Sequence, residues 1–233
     1  MPQVLQVVNL RVPSGERAGV GTALLSLVPR LKCVNLSGTA VTADGIQLLV
    51  EKLQNPEYGC PSRLEVVNLA GPVHFAGSDV QGFGDAGACA LASFVGDPIR
   101  SPRLSRLNMA LNDIGPAGAA AICEALRGNK RLQQLCLADN MLFHTMGLEA
   151  TLAGNTTLTH LDLTRCGIYE TGIQACLCLE LSSNRSLQSL GRKGKMATMW
   201  ENSGHWLQEA LRAQMSNVLF ANIGCIAWLP RMH

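Results

Sequence analysis

From Leu5 to Leu190 the chain keeps returning to one arrangement of leucines, and this internal period limits the possible folds more tightly than any other feature. The most regular copy is LSRLNMALNDIGPAGAAAICEALRGNKRL, residues 104–132. Leu104, Leu107 and Met109 are apolar at spacings of three and two, the pattern of a short strand. Asn112 and Ile114 follow. Gly118, Ile122 and Leu126 then fall four apart, at helical period, and Asn129 stands three before the next start. Aligned on the first leucine, the copies begin at Leu5, Leu31, Leu64, Leu104, Leu132, Leu158 and Leu187, at intervals of 26, 33, 40, 28, 26 and 29 residues. A period of this size predicts a solenoid, because one unit cannot bury its apolar face alone and must stack on its neighbours.

The departures from the period are informative. NPEYGCPSR (Asn55 to Arg63) and GDPIRSPR (Gly96 to Arg103) each carry two prolines. They read as loops at helix ends rather than domain boundaries, because the frame resumes in phase after each. A Gly-rich insertion delays the helix of the third unit until Gly87, Leu91 and Val95. In the fifth unit His144 takes the slot of Gly118. The seventh begins Leu187, Leu190 and then meets GRKGKMATMWENSGHW, which is expected to replace the strand end and turn. The organisation expected is therefore repeats over 1–190 and, over 191–233, a degenerate last repeat plus a cap or tail. All three tryptophans, Trp200, Trp206 and Trp228, lie in that tail. The tail either covers the open end of the core or docks on a partner, and the sequence admits both. No cap is visible ahead of the first strand.

The core must be aliphatic, since apolar residues make up 47% of the chain and aromatic ones only 4%. A net charge of +2 is too near zero to imply a general nucleic-acid or membrane surface. No apolar run is long enough to span a bilayer, and Met1 leads almost directly into patterned sequence without a signal-peptide profile. The nine cysteines are odd in number and scattered through the frame, which reads as reduced thiols in a cytoplasmic protein.

The frame LxxLxLxxNxI, followed by Gly, two Leu-type slots four apart and an Asn before the next Leu, resembles leucine-rich repeats over residues 4–190. RLQQLCLADNML and TLTHLDLTRCGI fill nearly every fixed slot. Units of 28 residues with a full helix resemble the ribonuclease-inhibitor-like subclass. The resemblance implies an α/β horseshoe arc with a parallel concave sheet and outer helices. It also implies that the Asn slot bonds buried turn backbone. Asn112 and Asn140 fit that slot and Cys166 is a tolerated substitute, whereas Pro13, Thr39 and Pro72 do not fit. The first three units are therefore expected to be less regular than Leu104–Leu181.

A solenoid of this kind recognises partners with the outward residues of its strands. The position before the third leucine reads Asn9, Asn35, Asn68, Asn108, Cys136, Asp162. This is a polar column whose members either bond one another or form a docking surface. Arg106, Gln134 and His160 form a second row, and Asp139 and Arg165 a third, in which the two can pair between adjacent turns. The expected protein-binding patch is Arg106, Asn108, Gln134, Asp139, His160, Asp162 and Arg165.

Other motifs carry less. GFGDAG (Gly82, Gly84, Gly87) matches a dinucleotide fingerprint, but Gly87 is already required by the repeat and no acidic partner stands at the right distance. GRKGK lacks phosphate-loop spacing. Cys176 and Cys178, two apart on a helix, do not share a face, and no second pair stands at zinc-site spacing. No nucleophile motif appears. Asn35, Asn155 and Asn184 head formal glycosylation sequons that follow from the repeat itself. The expectation is thus a non-catalytic scaffold or adaptor with no cofactor and no metal. Its partner is another protein rather than nucleic acid, and the apolar tail is a second docking route. Two alternatives come with the resemblance. One is a structural component of an actin or ciliary assembly, associated with the cytoskeleton or cilium. The other is a GTPase activator like those acting on Ran, although no acidic C-terminal segment is present here.

Overall fold

The computed structural model describes residues 31–38, 41–55, 62–71, 82–143, 147–168, 184 and 186–191. The unit starting at Leu5, the tail after Gly191, the expected helix over 172–181 with Cys176 and Cys178, His144, and the slots at Pro13, Thr39 and Pro72 lie outside these residues. Six three-residue strands, β1 (Cys33–Asn35), β2 (Val66–Asn68), β3 (Arg106–Asn108), β4 (Gln134–Cys136), β5 (His160–Asp162) and β6 (Ser189–Gly191), form one parallel sheet in chain order. Helices α1 (Ala43–Gln54), α2 (Gly84–Val95), α3 (Pro116–Gly128) and α4 (Leu148–Gly154) carry the first four crossovers. Every strand falls two residues after a leucine start. The architecture is an α/β leucine-rich-repeat solenoid with an open sheet and its helices packed outside.

In β1 to β5 only the central side chain is buried. Val34, Val67, Leu107, Leu135 and Leu161 are buried and their flanking residues are not. The start leucines Leu64, Leu104, Leu132, Leu158 and Leu187 are buried beside them. From the other side come Ile46 and Leu53 of α1, Leu91 and Phe94 of α2, Ile122 and Leu126 of α3, and Leu148 and Leu152 of α4. Each such side chain contributes about 1.5–3 kcal/mol of transfer free energy. Ladder bonds extend past the strands: the N–H groups of Leu36, Leu69, Met109 and Leu137 donate to the carbonyls of Asn68, Asn108, Cys136 and Asp162 at 2.7–2.8 Å.

Two sets of asparagines close the turns. At the strand-to-helix turn, Asn112 donates to Leu69 O and Ala110 O, both at 2.8 Å. Asn140 donates to Met109 O (3.0 Å) and Leu137 O (2.7 Å), and its Oδ1 accepts the N–H of Asn112 (3.1 Å) and Ile114 (3.0 Å). Cys166 holds the same slot with its S–H directed to Leu137 O (3.1 Å), with Thr164 O further off (3.7 Å). At the helix-to-strand return, Asn129 donates to Val95 O (2.7 Å), Asn155 to Leu126 O (2.9 Å) and Asn184 to Leu152 O. Each Oδ1 then accepts N–H groups at the start of the next strand: those of Arg131 and Leu132, of Thr157 and Leu158, and of Ser186 and Leu187. These bonds bury the amides of Asn155 and Asn184, so neither sequon presents a free acceptor in the folded chain.

Several sequence expectations need correction. Strand β6 runs to Gly191, which pairs with Asp162, so the seventh unit completes its strand where GRKGK was expected to interrupt it. A backbone ladder accepts glycine without needing its side chain. The described parts of the second and third units are as regular as the later ones: α1 and α2 each have 12 residues, and β1 and β2 pair in register. Gly71 is packed against the next turn, since a Cβ there would lie 1.8 Å from Leu111 O. Helix α4 has only seven residues and opens at Gly147, whose φ is +108°.

Candidate functional site

The strand register determines which side chains share the concave face. Val66 pairs with Arg106, Arg106 with Gln134, and Gln134 with His160. One residue pair further along, Asn68, Asn108, Cys136 and Asp162 align in the same way. These two rows line an open groove of about 410 Å³ whose floor is the buried central residues of the strands. Five predicted residues, Arg106, Asn108, Gln134, His160 and Asp162, therefore meet in one groove. Asp139 and Arg165 do not line it; they sit on the turns beyond the strand ends. Asn68 and Cys136, which the sequence places in the polar column but not in the expected patch, line the groove too, as does Val66, which sequence reasoning missed although the same register extends to it.

The column of amides does not bond to itself. Asn35, Asn68 and Asn108 each accept the N–H two residues on, from Ser37 (3.0 Å), Ala70 (3.2 Å) and Ala110 (3.0 Å). Asp162 accepts the N–H of Thr164 at 2.9 Å. Neighbouring side chains at one strand spacing are close enough to touch, but the tight turn brings its own N–H nearer, so each Asx side chain serves its own turn. The column is thus first a turn device. Cys136 keeps a backbone hydrogen bond to Ala138 and has a side-chain one to Asp162, and burial pushes its thiol up, with the Asp162 carboxylate adding to the effect.

His160 is oriented by Thr159. The Thr159 hydroxyl donates to Gln133 O (3.0 Å) and lies 2.8 Å from His160 Nδ1. When the Thr159 hydroxyl donates to the carbonyl, its oxygen can accept only from an Nδ1–H. The groove then offers a guanidinium at β3, amides at β3 and β4, an imidazole at β5 and a carboxylate beside it.

Beyond the strand ends, Arg165 grips Asp139 through both Nε and Nη2. Both residues are in the left-handed region, at φ 55° and 58°, as is Leu111 at 58° on the preceding turn. The Arg165 side chain is 57% exposed and that of Asp139 21%.

Among the described residues no group of three His, Cys, Asp or Glu side chains is placed to hold a metal, and no helix is long and apolar enough to cross a membrane. The GFGDAG stretch is occupied by the fold. Gly82 N–H donates to Asp113 Oδ2 (2.8 Å), Gly84 N–H to Asn112 O (2.9 Å), and Asp85 Oδ1 accepts the N–H of Gly115 (2.7 Å) and Gly118 (2.8 Å) at the start of α3. The Asp113 carboxylate and the Asn112 carbonyl thus take loop N–H groups that a phosphate would need.

A family model described as Leucine Rich repeat matches residues 101–123 and 154–175, which contain β3 and β5. No curated protein sequence matches the chain. Among solved structures, the chain is similar to leiomodin-1 actin-binding site 2, with 16% identity and a TM-score of 0.47, over 88% of this chain and 94% of that one. It is also similar to the tropomodulin C-terminal domain of Caenorhabditis elegans, with 16% identity and a TM-score of 0.49, over 84% and 93% of the two chains.

Proposed function

We propose that this array of leucine-rich repeats is a non-catalytic protein-binding scaffold that engages its partner through the concave groove. The observation that carries the reading is the alignment of Arg106, Gln134 and His160 across three paired strands, with the Asn108–Cys136–Asp162 row beside it. Side chains held on a hydrogen-bonded ladder lose little freedom on association, so a flat mixture of charge, amide and imidazole can give specificity at a low ordering cost. Arg165 and Asp139 form the rim.

The test is affinity capture with the full chain, compared with Arg106→Glu and His160→Glu variants and with a variant in which Asp139 and Arg165 exchange charge. The groove reading expects a defined set of partners that Arg106→Glu and His160→Glu both deplete. A partner set unchanged by both substitutions overturns it. The same chain, sedimented with actin filaments and assayed with small GTPases, separates the scaffold reading from the two alternatives raised by the sequence resemblance.

A further inference from the structure

We propose that the edge of the sheet where the chain returns from helix to strand is a second docking surface, separate from the groove and suited to an acidic protein segment. Arg63, Arg103 and Arg131 each stand immediately before the start leucine of their turn, Leu64, Leu104 and Leu132. Because Val66, Arg106 and Gln134 pair directly, the three arginines occupy one level on successive turns. Ladder bonds from Ser105 N–H to Glu65 O (2.9 Å) and from Gln133 N–H to Ser105 O (2.8 Å) carry the register toward them. In the sequence, Arg30 precedes Leu31 in the same way.

The fold does not need arginine at this level. In the later turns the position is Thr157 and Ser186, whose hydroxyls donate to Asn129 O (3.3 Å) and Asn155 O (3.2 Å) and so tie the turn to its predecessor. The backbone is held independently, by Asn129 Oδ1 at Arg131 and Leu132 and by Ser62 Oγ at Leu64. The arginines instead add charge. All three are exposed, and among the described residues none has an ion-pair partner. Nearby cations do: Lys32 with Glu65 (3.3 Å), Arg100 with Asp97 (3.3 Å) and Arg127 with Glu124 (3.2 Å). Exposed Lys130 extends the ridge. Asp85, Asp113 and Asp139 lie past the other ends of the strands and cannot neutralise it.

The chemistry that fits is a row of carboxylates. Guanidinium groups repeating at about one strand spacing, ~4.8 Å, can each take a carboxylate through two parallel bonds. Ile99, 76% exposed, stands on the 96–103 loop, and that loop lies against the Arg63 turn through Ser62 N–H to Arg100 O (3.3 Å). It gives an acidic peptide an aliphatic anchor. Nucleic acid is a poorer match: the exposed aromatic among the described residues, Phe143, follows β4 at the opposite end of the strands, so this edge offers no described platform for stacking bases.

The test is fluorescence anisotropy of a labelled peptide of glutamate pairs separated by single leucines, titrated with the full chain. The triple variant R63T/R103T/R131T, which copies the residue type of the later turns and keeps the fold, should weaken binding by at least about tenfold; Arg→Lys at the same three positions should fall between. Arg106→Glu, in the groove, should leave peptide binding unchanged, so that failure here and failure of the groove reading are distinguishable. Equal binding by the wild-type chain and the threonine variant overturns the proposal. So does tighter binding to a single-stranded RNA of equal charge, which would assign the ridge to nucleic acid.

Discussion

Asp85 caps a helix to which it does not belong: its carboxylate accepts the N–H of Gly118, 33 residues along the chain, at 2.8 Å. The residue at the N-cap of that helix is Gly115, which has no side chain to do so. Asp85→Ala should therefore lower stability by about 1–2 kcal/mol in urea denaturation, the usual range for a lost cap and its favourable placement at a helix N-terminus. Asp85→Asn should lose less, since an amide oxygen still accepts. Gly118→Ala should also destabilise, because its Cβ would lie 2.7 Å from Asp85 Oδ1 and 2.8 Å from Ala88 Cβ. A neutral Asp85→Ala would show that the helix start needs no cap from its neighbour.

Asn140 and Cys166, which hold the same slot on successive turns, should rank by the bonds they make. Asn140 joins two turns with both ends of its amide, so Asn140→Ala leaves buried N–H and C=O groups unmatched and should cost about 2–4 kcal/mol. Cys166 donates one weak bond across turns, and Cys166→Ala should cost about 1 kcal/mol. Equal losses in chemical denaturation would remove the hydrogen-bonding account of this slot.

Burial pushes the Cys166 thiol up from 9.0 to about 12, with the nearby Asp162 carboxylate adding to the rise. The folded chain thus holds this proton more tightly than the unfolded chain. The stabilisation is complete below pH 9 and declines as pH rises from there toward 12. The urea midpoint of the wild-type chain should fall more steeply between pH 8.5 and 10.5 than that of Cys166→Ala; parallel slopes would contradict the assignment. In native protein at pH 8, a thiol reagent should modify exposed Cys89 and spare buried Cys123 and Cys166 until denaturant is added.

The Asp139–Arg165 pair should add little to stability. Its arginine is largely solvated and both backbones are in the left-handed region, so a double-mutant cycle to alanine should give a coupling below about 1 kcal/mol that shrinks with added salt. A coupling above 2 kcal/mol that survives high salt would show that the pair is a structural tie between turns.

The strands, their register and the groove could be read from residues 104–137 because each fixed leucine has one local job and the period repeats it. Arg106, Gln134 and His160 follow from counting. What could not be read depends on contacts between turns. Asp85 gives no sign in its own helix that it serves the next one, and glycine spacing at 82–87 imitates a phosphate loop because both need close backbone approach. In the second and third units the described strands and helices keep the frame, because the leucine slots that set them are filled. The column at Asn35, Asn68 and Asn108 is visible in the sequence as a period, but the period leaves open what the side chains bond, and their bonds run along the chain.

The cross-turn bonds that Asn112, Asn129, Asn140, Asn155, Cys166 and Asn184 donate all point the same way, from each turn to carbonyls of the one before it. Synthesis proceeds in that direction too. A chain emerging from the ribosome therefore carries its newest turn with open carbonyls, and each further period of residues closes the turn already made. The growing end is the unfinished one at every stage, and order accumulates behind it.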